Sequence, residues 1–189
     1  MTIIVTDPPV GEALTLADVK DHLRLDGTGE DTHLQGLIRV ARAHLEAATG
    51  LALLNTGFRL ALDDWPADHR ILLRRHPVRS IEAVTVYDEE GIPHAMTADG
   101  WLLDAASRPA RLAVTPPRPT RRCLNGIEID FIAGFGESGA DVPDTLKRAM
   151  LTHIAQMYDL RGAVSLGQQP GAVPPGYDRL LGGFARRAI

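Results

Sequence analysis

A glycine-rich segment in the C-terminal third has the spacing of a phosphate-binding loop. Gly134, Gly136 and Gly139 stand in the order G-x-G-x-x-G and follow a predicted strand. In dinucleotide-binding folds, the pyrophosphate lies on the N-terminus of a helix that begins within the glycines. Here residues 140–143 separate the last glycine from the next predicted helix, and the preceding strands form a meander. The segment therefore predicts a flexible strand-to-helix connection and no cofactor.

Histidines are the next candidates for chemistry, as metal ligands. No pair shows the H-E-x-x-H spacing or another ligand pattern. His153 lies on the apolar side of a predicted helix, where we expect a hydrogen-bonded core histidine. We therefore predict no metal site. The seven histidines are His22, His33, His44, His69, His76, His94 and His153.

Nucleophiles and acid–base pairs are equally scarce. Cys123, the only cysteine, follows two arginines that would favour a thiolate, but no histidine is near it in sequence. Asp63 and Asp64 adjoin at a predicted strand end, so their side chains point to opposite faces. We expect them to cap the turn before Trp65. The sequence predicts no catalytic residue.

Two basic clusters could contact nucleic-acid phosphates. The alternative for each is a solvated surface or pairing with acidic neighbours. In a ring of subunits, arginines repeated around a central opening would favour passing DNA without reading its sequence. The clusters are Arg70, Arg74, Arg75, His76 and Arg79, and Arg118, Arg121 and Arg122.

The composition excludes several functional classes. The 189 residues suit one domain with a small insert. The net charge of −4 and the aromatic content of 5% argue against a basic nucleic-acid binder and a base-stacking platform. The N-terminus lacks the basic region of a signal peptide, and no apolar stretch approaches the roughly 20 residues of a membrane span. A single cysteine fits a reducing compartment.

Apolar periodicity predicts three helices, at about residues 15–26, 31–49 and 143–161. Thr15 is the expected N-cap of the first, with Asp18 as its capping-box partner. The second and third helices each carry one apolar stripe. The predicted stripes are Leu34, Leu37, Ile38, Ala41, Leu45 and Ala48, and Leu146, Ala149, Met150, Ile154 and Met157.

Short strands occupy the region between the second and third helices, at about residues 57–134. Alternating or β-branched runs mark them, and Ile127, Ile129 and Phe131 share one face of the best. The order predicts an α+β fold, mainly α. It is a bundle of two N-terminal helices and one long C-terminal helix, with a small antiparallel β-part inserted.

The C-terminal tail is rich in proline and glycine and cannot form a packed core alone. We predict one folded domain at 1–162 and an extended arm at 163–189. The arm carries residues suited to contact another protein, namely Tyr177, Arg179, Leu180, Leu181 and Phe184.

Three segments resemble the head-tail connector, or adaptor, family of long-tailed phages and phage-like gene transfer agents. Residues 12–53 contain LTLADVKDHLRLD, an acidic gap and a long helix that ends in TG. Residues 127–162 combine a strand, aromatic-flanked glycines, Val-Pro and a helix that ends in Arg-Gly. Residues 174–181, PPGYDRLL, resemble the family's usual ending.

The resemblance implies a structural protein without catalytic activity, cofactor or metal. It would form a homo-oligomeric ring, a dodecamer that matches the twelve-fold symmetry of the portal. The ring would bind the portal protein and a stopper or tail-joining protein. Packaged DNA would pass through its channel without sequence specificity. The chain would act in the virion or phage-like particle, at the head-tail interface, and reside in the host cytoplasm during assembly.

The resemblance also implies roles for three residue sets. Residues of the arm would dock on the portal or a neighbouring subunit. The second arginine cluster, Arg118, Arg121 and Arg122, would line the DNA channel. The helix face that carries Arg39, Arg42 and Glu46 would contact the next subunit.

Two alternatives remain open from the sequence. One is a small DNA-binding regulatory domain that uses the first two helices, although their link is longer than that of a helix-turn-helix. The other is an enzyme whose site is assembled from distant residues such as Asp63, His153 and Cys123.

Overall fold

A computed structural model describes residues 1–115, 122–160 and 173–184. Contacts divide the chain into two units. The first unit contains residues 1–9 and 55–135, and it holds all the described strands. The second contains residues 10–54 and the described residues from 136 onward, and it holds the α-helices.

The first helix of the second unit, α1 (Leu16–Leu23), begins where the capping signal predicts. The Thr15 hydroxyl accepts a hydrogen bond from the Asp18 amide at 3.1 Å, and the Asp18 carboxylate accepts one from the Thr15 amide at 2.8 Å. This reciprocal box satisfies two amides that the first turn leaves open. The helix ends three residues earlier than predicted, because Arg24 adopts the left-handed conformation (φ 56°) and closes the helix as its C-cap.

The two long helices, α2 (Asp31–Thr49) and α3 (Asp144–Asp159), bury the faces that their periodicity predicts. All five residues predicted for the α3 stripe are buried, together with His153. On α2 the stripe is shifted at its end: Thr49 is buried and Ala48 is exposed. A short fourth helix, α4 (Tyr177–Leu181), packs on α3. Helices α1, α2 and α3 also contact one another pairwise.

The larger sheet of the first unit has five antiparallel strands in the order β1-β2-β8-β4-β5. Buried residues alternate along its central strands, as a sheet with one buried face requires. Phe58 lies opposite Phe131, and Leu60 opposite Ile129, on that face. The strands are β1 (Thr2–Asp7), β2 (Thr56–Leu62), β4 (Val78–Tyr87), β5 (Pro93–Ala95) and β8 (Ile127–Ala133).

The smaller sheet has three antiparallel strands in the order β3-β7-β6. They are β3 (Arg70–Leu73), β7 (Ala110–Val114) and β6 (Trp101–Asp104). Ile71, Leu73 and Leu112 are almost completely buried. All three strands lie within residues 57–134, where the sequence predicts short strands.

The chain is α+β, with 33% helix and 29% strand among the described residues. These nearly equal shares do not confirm a mainly α fold, because the inserted β-part contains seven described strands and β1 adds another before the first helix. The predicted boundary after residue 162 lies outside the described residues. Among the described helices, none is both long and apolar enough to span a membrane.

Candidate functional site

The glycine-rich segment forms a close-packed connection. Gly139 opens a short 3-10 helix (Gly139–Asp141), where Ser138 and Asp141 form a second capping box. A Cβ at Gly139 would lie 2.5 Å from the Ala13 carbonyl oxygen, and one at Gly136 would lie 2.4 Å from the Asp141 side chain. The predicted strand-to-helix connection is present, and it is closely packed where the sequence predicts a flexible one. Gly136 and Gly139 are explained by the close approach of other atoms of the chain.

Three aromatic side chains from three helices meet in the second unit. The His44 ring of α2 lies 4.9 Å from the His153 ring of α3, and both lie edge-on to Tyr177 of α4. The Tyr177 hydroxyl is 3.4 Å from Nδ1 of His44. Tyr177 and His153 are each only 2% exposed. This cluster attaches the C-terminal helix to the helical unit.

The imidazole of His153 is buried without a hydrogen bond to any described residue, which is unusual for a histidine. It is buried as predicted, but the predicted hydrogen bond is wrong: neither ring nitrogen has a partner among the described residues. Burial, with a smaller contribution from His44, lowers the pKa of His153. Burial, together with the nearby Asp178 carboxylate, raises the pKa of Tyr177 to about 12. Both groups are therefore neutral at pH 7.

The residues predicted for the docking arm separate into two groups. Tyr177 and Leu181 are buried within their own chain, because they attach α4 to α3. Arg179 is exposed, and Leu180 and Phe184 are half-buried. Residues 177–181 are helical where the sequence predicts an extended arm. Residues 163–172 and 185–189 of the arm lie outside the described residues.

The helix face predicted to contact a neighbouring subunit is partly paired within the chain. Arg42 donates to both carboxylate oxygens of Glu12, at 2.7 and 3.3 Å, and lies 3.6 Å from Glu46. Glu46 also accepts a hydrogen bond from the Leu53 amide at 2.9 Å. Arg39 is exposed and has no ion-pair partner in the described part of the chain.

Of the predicted channel arginines, only Arg122 is described, because Arg118 and Arg121 lie outside the described residues. Arg122 is exposed, and its guanidinium lies 5.2 Å from the centre of the Tyr87 ring. The Tyr87 hydroxyl donates to Glu128 at 2.9 Å. Burial and this hydrogen bond raise the pKa of Tyr87. Arg122 thus lies beside the polar face of the larger sheet.

A cross-strand ion cluster occupies that polar face. Arg59 of β2 makes two hydrogen bonds to Asp130 of β8, at 2.7 and 2.8 Å, and lies 3.0 Å from Glu128. The paired Asp130 carboxylate raises the pKa of the Arg59 guanidinium. Because Arg59 and Asp130 are directly opposite in the strand register, the cluster links neighbouring strands.

The first basic cluster remains mostly solvated. Arg70, Arg74 and Arg79 are exposed. Arg75 lies 5.7 Å from the centre of the Phe58 ring, and His76 is buried. These two side chains therefore contribute to packing of the sheet unit.

The residues considered as candidates for catalysis are Asp63, Asp64 and Cys123, and the two aspartates hydrogen-bond to backbone amides. Asp64 accepts a hydrogen bond from the Trp65 amide at 2.7 Å, as the predicted turn capping requires. Asp63 instead accepts one from the distant Asn125 amide at 2.9 Å. Cys123 is exposed. Among the described residues, no group of three or more His, Cys, Asp or Glu side chains could hold a metal ion.

An exposed sheet edge is the feature that the sequence analysis missed. Strand β1 exposes five of its six residues. Its run of β-branched residues at 2–6 was the available signal, since such residues favour strands. That signal does not say whether the strand lies inside a sheet or at its edge.

The chain is similar to known proteins over its whole length. The family of phage gp6-like head-tail connector proteins matches residues 13–100. A chain in the virion of a native gene transfer agent particle is 31% identical, with a TM-score of 0.85, and the match covers 100% of this chain and 97% of that one. No curated protein matches.

Two further solved structures have the same coverage of both chains. One is the neck of an empty gene transfer agent particle computed with C6 symmetry, at 32% identity and a TM-score of 0.82. The other is the neck of a native particle computed with C12 symmetry, at 31% identity and a TM-score of 0.79. These matches favour a structural role over a DNA-binding regulatory domain.

Proposed function

Because this chain belongs to the phage head-tail connector family, we propose that it is a ring-forming subunit at the neck of a phage-like particle. It is a structural connector, and its ring joins the head to the tail. One observation carries the proposal: a chain of a gene transfer agent virion matches it end to end at a TM-score of 0.85 and 31% identity, and two neck structures match over the same length. The C12 symmetry of one related neck supports a ring of twelve copies.

The ring would bind the portal protein on one side and a stopper or tail-joining protein on the other. The exposed side of α4 supports the first contact. Tyr177 and Leu181 hold the helix to its own chain, and this leaves Arg179 with the half-buried Leu180 and Phe184 to meet a partner. Tyr177 and Leu181 would then act indirectly, by positioning α4.

The ring would also extend the DNA channel. Arg118, Arg121 and Arg122 would line it and contact phosphates without reading sequence. The exposure of Arg122 supports this assignment. The chain's net charge of −4 means that any attraction for DNA must come from such a local concentration of arginines.

The exposed arginine of α2 would contribute to the contact between subunits. Arg39 is exposed and is available for a carboxylate of the next copy. Arg42 and Glu46 already pair within the chain and would shape the same surface. Surface ion pairs contribute about 0–1 kcal/mol each, so this contact would guide orientation more than affinity.

Deletion of this chain from a particle-producing host tests the proposed function. We expect DNA-filled heads without tails, and tailed particles again when the chain is supplied in trans. Electron microscopy of restored particles should show a ring of this chain at one vertex. Normal tailed particles in the deletion strain, or restored particles without the chain, would refute the proposal.

A further inference from the structure

Strand β1 is an apolar sheet edge whose protection is confined to its end, where a bulge lies between Val5 and Asp7 and Pro8 follows. Among the described strands it pairs only with β2. Ile4 and Val5 are 52% and 54% exposed, and Asp7 is the only charged residue of the strand. Proteins normally blunt an edge with lysine, proline or a covering segment, because its free N–H and C=O groups pair readily with another strand. This edge is therefore suited to accept a strand.

The opposite end of the same sheet has a matching free edge. The short strand β5 pairs with residues 85–87 of β4, and the Met96 amide bonds to the Val84 carbonyl. The outer side of residues 78–83 thus pairs with no strand in the part of the chain that the structure describes. This stretch has the length of β1, which spans six residues.

We propose that β1 of one copy pairs with residues 78–83 of the next copy, so that the sheet continues from subunit to subunit. The inference rests on the proposed ring. Such a contact is heterologous, since one surface meets a different surface, and heterologous contacts are those that build rings. Main-chain hydrogen bonds would supply the binding, as in other cases of strand addition.

Strand direction agrees with this pairing. Every strand pair in the larger sheet is antiparallel, so directions alternate along β1-β2-β8-β4 and β4 runs opposite to β1. A copy rotated about an axis parallel to the strands keeps its strand directions. Its β1 therefore arrives antiparallel to β4 and continues the alternation.

Side chains favour one register, with Asp7 opposite Arg79 and Val5 opposite Ile81. Asp7 and Arg79 are exposed, oppositely charged and without an ion-pair partner among the described residues. Val5 and Ile81 lie on the same face of the sheet, because each is in register with a buried phenylalanine. The register thus joins opposite charges and extends the apolar face.

Engineered disulfides test the pairing inside assembled particles. Asp7→Cys and Arg79→Cys are introduced singly and together in a Cys123→Ser background, and purified particles are oxidised and analysed on non-reducing gels with an antibody to this chain. We expect a ladder of covalent multimers from the double variant and monomers from each single variant. Dimers from Asp7→Cys alone would indicate β1–β1 pairing and overturn the proposal.

The remaining outcomes separate this proposal from the proposed function. Particles that contain the double variant but give no multimers overturn the strand pairing and leave the connector role intact. Particles that lack the chain altogether refute the connector role itself.

A lysine on the free edge is the second test. Ile4→Lys should lower the amount of chain per particle by about tenfold, because lysine on an edge strand opposes strand addition. Leu72→Lys is the matched control, since Leu72 is 45% exposed on an edge strand of the smaller sheet. Both variants should melt at the same temperature as the unmodified chain. Equal incorporation of the two variants would overturn the proposal.

Discussion

The buried side chain of His153 makes the stability of the fold depend on pH. Its ring lies in the core of the helical unit, where its centre is 4.9 Å from that of the His44 ring and 5.5 Å from that of the Tyr177 ring. A charged imidazolium there would lose water and gain no described hydrogen-bond acceptor. The neutral form is therefore required by the fold.

We predict that the chain loses stability as the pH falls below 6.5. The pKa of His153 is lowered from 6.5 in the folded state, so the unfolded state binds more protons between the two pKa values. A fall in pH therefore stabilises the unfolded state relative to the folded one. The loss begins at the unfolded pKa and is complete below the folded pKa. Melting temperatures measured between pH 8 and pH 5 check this.

A variant separates His153 from the other histidine that acts in the same direction. Burial also lowers the pKa of His22, with a smaller contribution from Arg148. His153→Leu should flatten most of the pH dependence, and His22→Leu should flatten less of it, because His22 is only half-buried. An unchanged slope in His153→Leu would contradict the assignment.

Two glycine-to-alanine substitutions should have opposite effects. Gly139→Ala places a Cβ 2.5 Å from the Ala13 carbonyl oxygen, and we expect a loss of roughly 1–3 kcal/mol in unfolding free energy. Gly36→Ala meets nothing within 4 Å inside α2, so we expect a gain of about 1 kcal/mol from helix propensity. Urea denaturation measures both. If Gly139→Ala were stabilising, the backbone near Ala13 would have to shift at little cost to accommodate the added Cβ.

At the scale of elements, α4 illustrates a helix that exists only because it is packed. Its five residues are far fewer than the roughly 12–15 that an isolated helix needs. Tyr177 and Leu181 supply the buried contacts that compensate. The exposed Arg179 is therefore positioned by the two buried neighbours.

We predict that Tyr177→Ala detaches α4 and leaves α1, α2 and α3 folded. Losing a buried aromatic ring costs about 3–5 kcal/mol, more than a five-residue helix can replace. Hydrogen exchange should then show fast exchange at residues 177–181 and slow exchange in α3. Tyr177→Phe keeps the ring and loses only the 3.4 Å hydroxyl contact to His44, so it should retain protection. Equal exchange in both variants would indicate that the ring is not the anchor.

At the scale of the whole molecule, the connector role depends on surfaces and not on one site. Two surfaces are candidates for contact with other proteins. They are the exposed side of α4 and the free edges of the larger sheet. Either could be altered without disturbing the core. Attachment and ring formation can therefore be tested apart from folding.

We predict that Arg179→Glu abolishes attachment to portal-bearing heads and leaves the melting temperature unchanged. Arg179 is exposed beside the buried anchors of α4, so charge reversal alters the surface alone. Sedimentation of heads with bound chain measures attachment. Arg70→Glu, at an exposed position of β3, is the control and should bind normally. Normal attachment of Arg179→Glu would remove this residue from the docking surface.

The arginine cluster at 118–122 should affect DNA and not folding. Replacing Arg118, Arg121 and Arg122 by alanine should reduce DNA retention or delivery, because the proposed phosphate contacts of three arginines would be lost from each subunit. The triple lysine variant keeps the charge and should behave normally. Quantified DNA per particle and per transfer event provides the measurement. A large fall in melting temperature of the alanine variant would instead assign these arginines to structural pairing.

Periodicity and capping chemistry, both local properties, allowed much of the fold to be predicted. The Thr15–Asp18 capping box, the α3 stripe from Leu146 to Met157 and the alternation around Phe131 are all confirmed. The short strand β5 was missed, because three residues that include a proline carry no periodic signal. The early end of α1 was missed because a left-handed arginine, not a glycine, closes it.

Local sequence was sufficient to determine the three longer helices, the main strands and a family resemblance, since each depends on residues a few positions apart. Only the folded chain brings Tyr177 against His44 and His153, and only it leaves β1 at the margin of a sheet. The contact of Tyr177 with His44 joins residues 133 positions apart, and the edge position of β1 depends on which strand lacks a neighbour. Such long-range pairing is decided by the packing of the whole chain, which no short stretch of residues encodes.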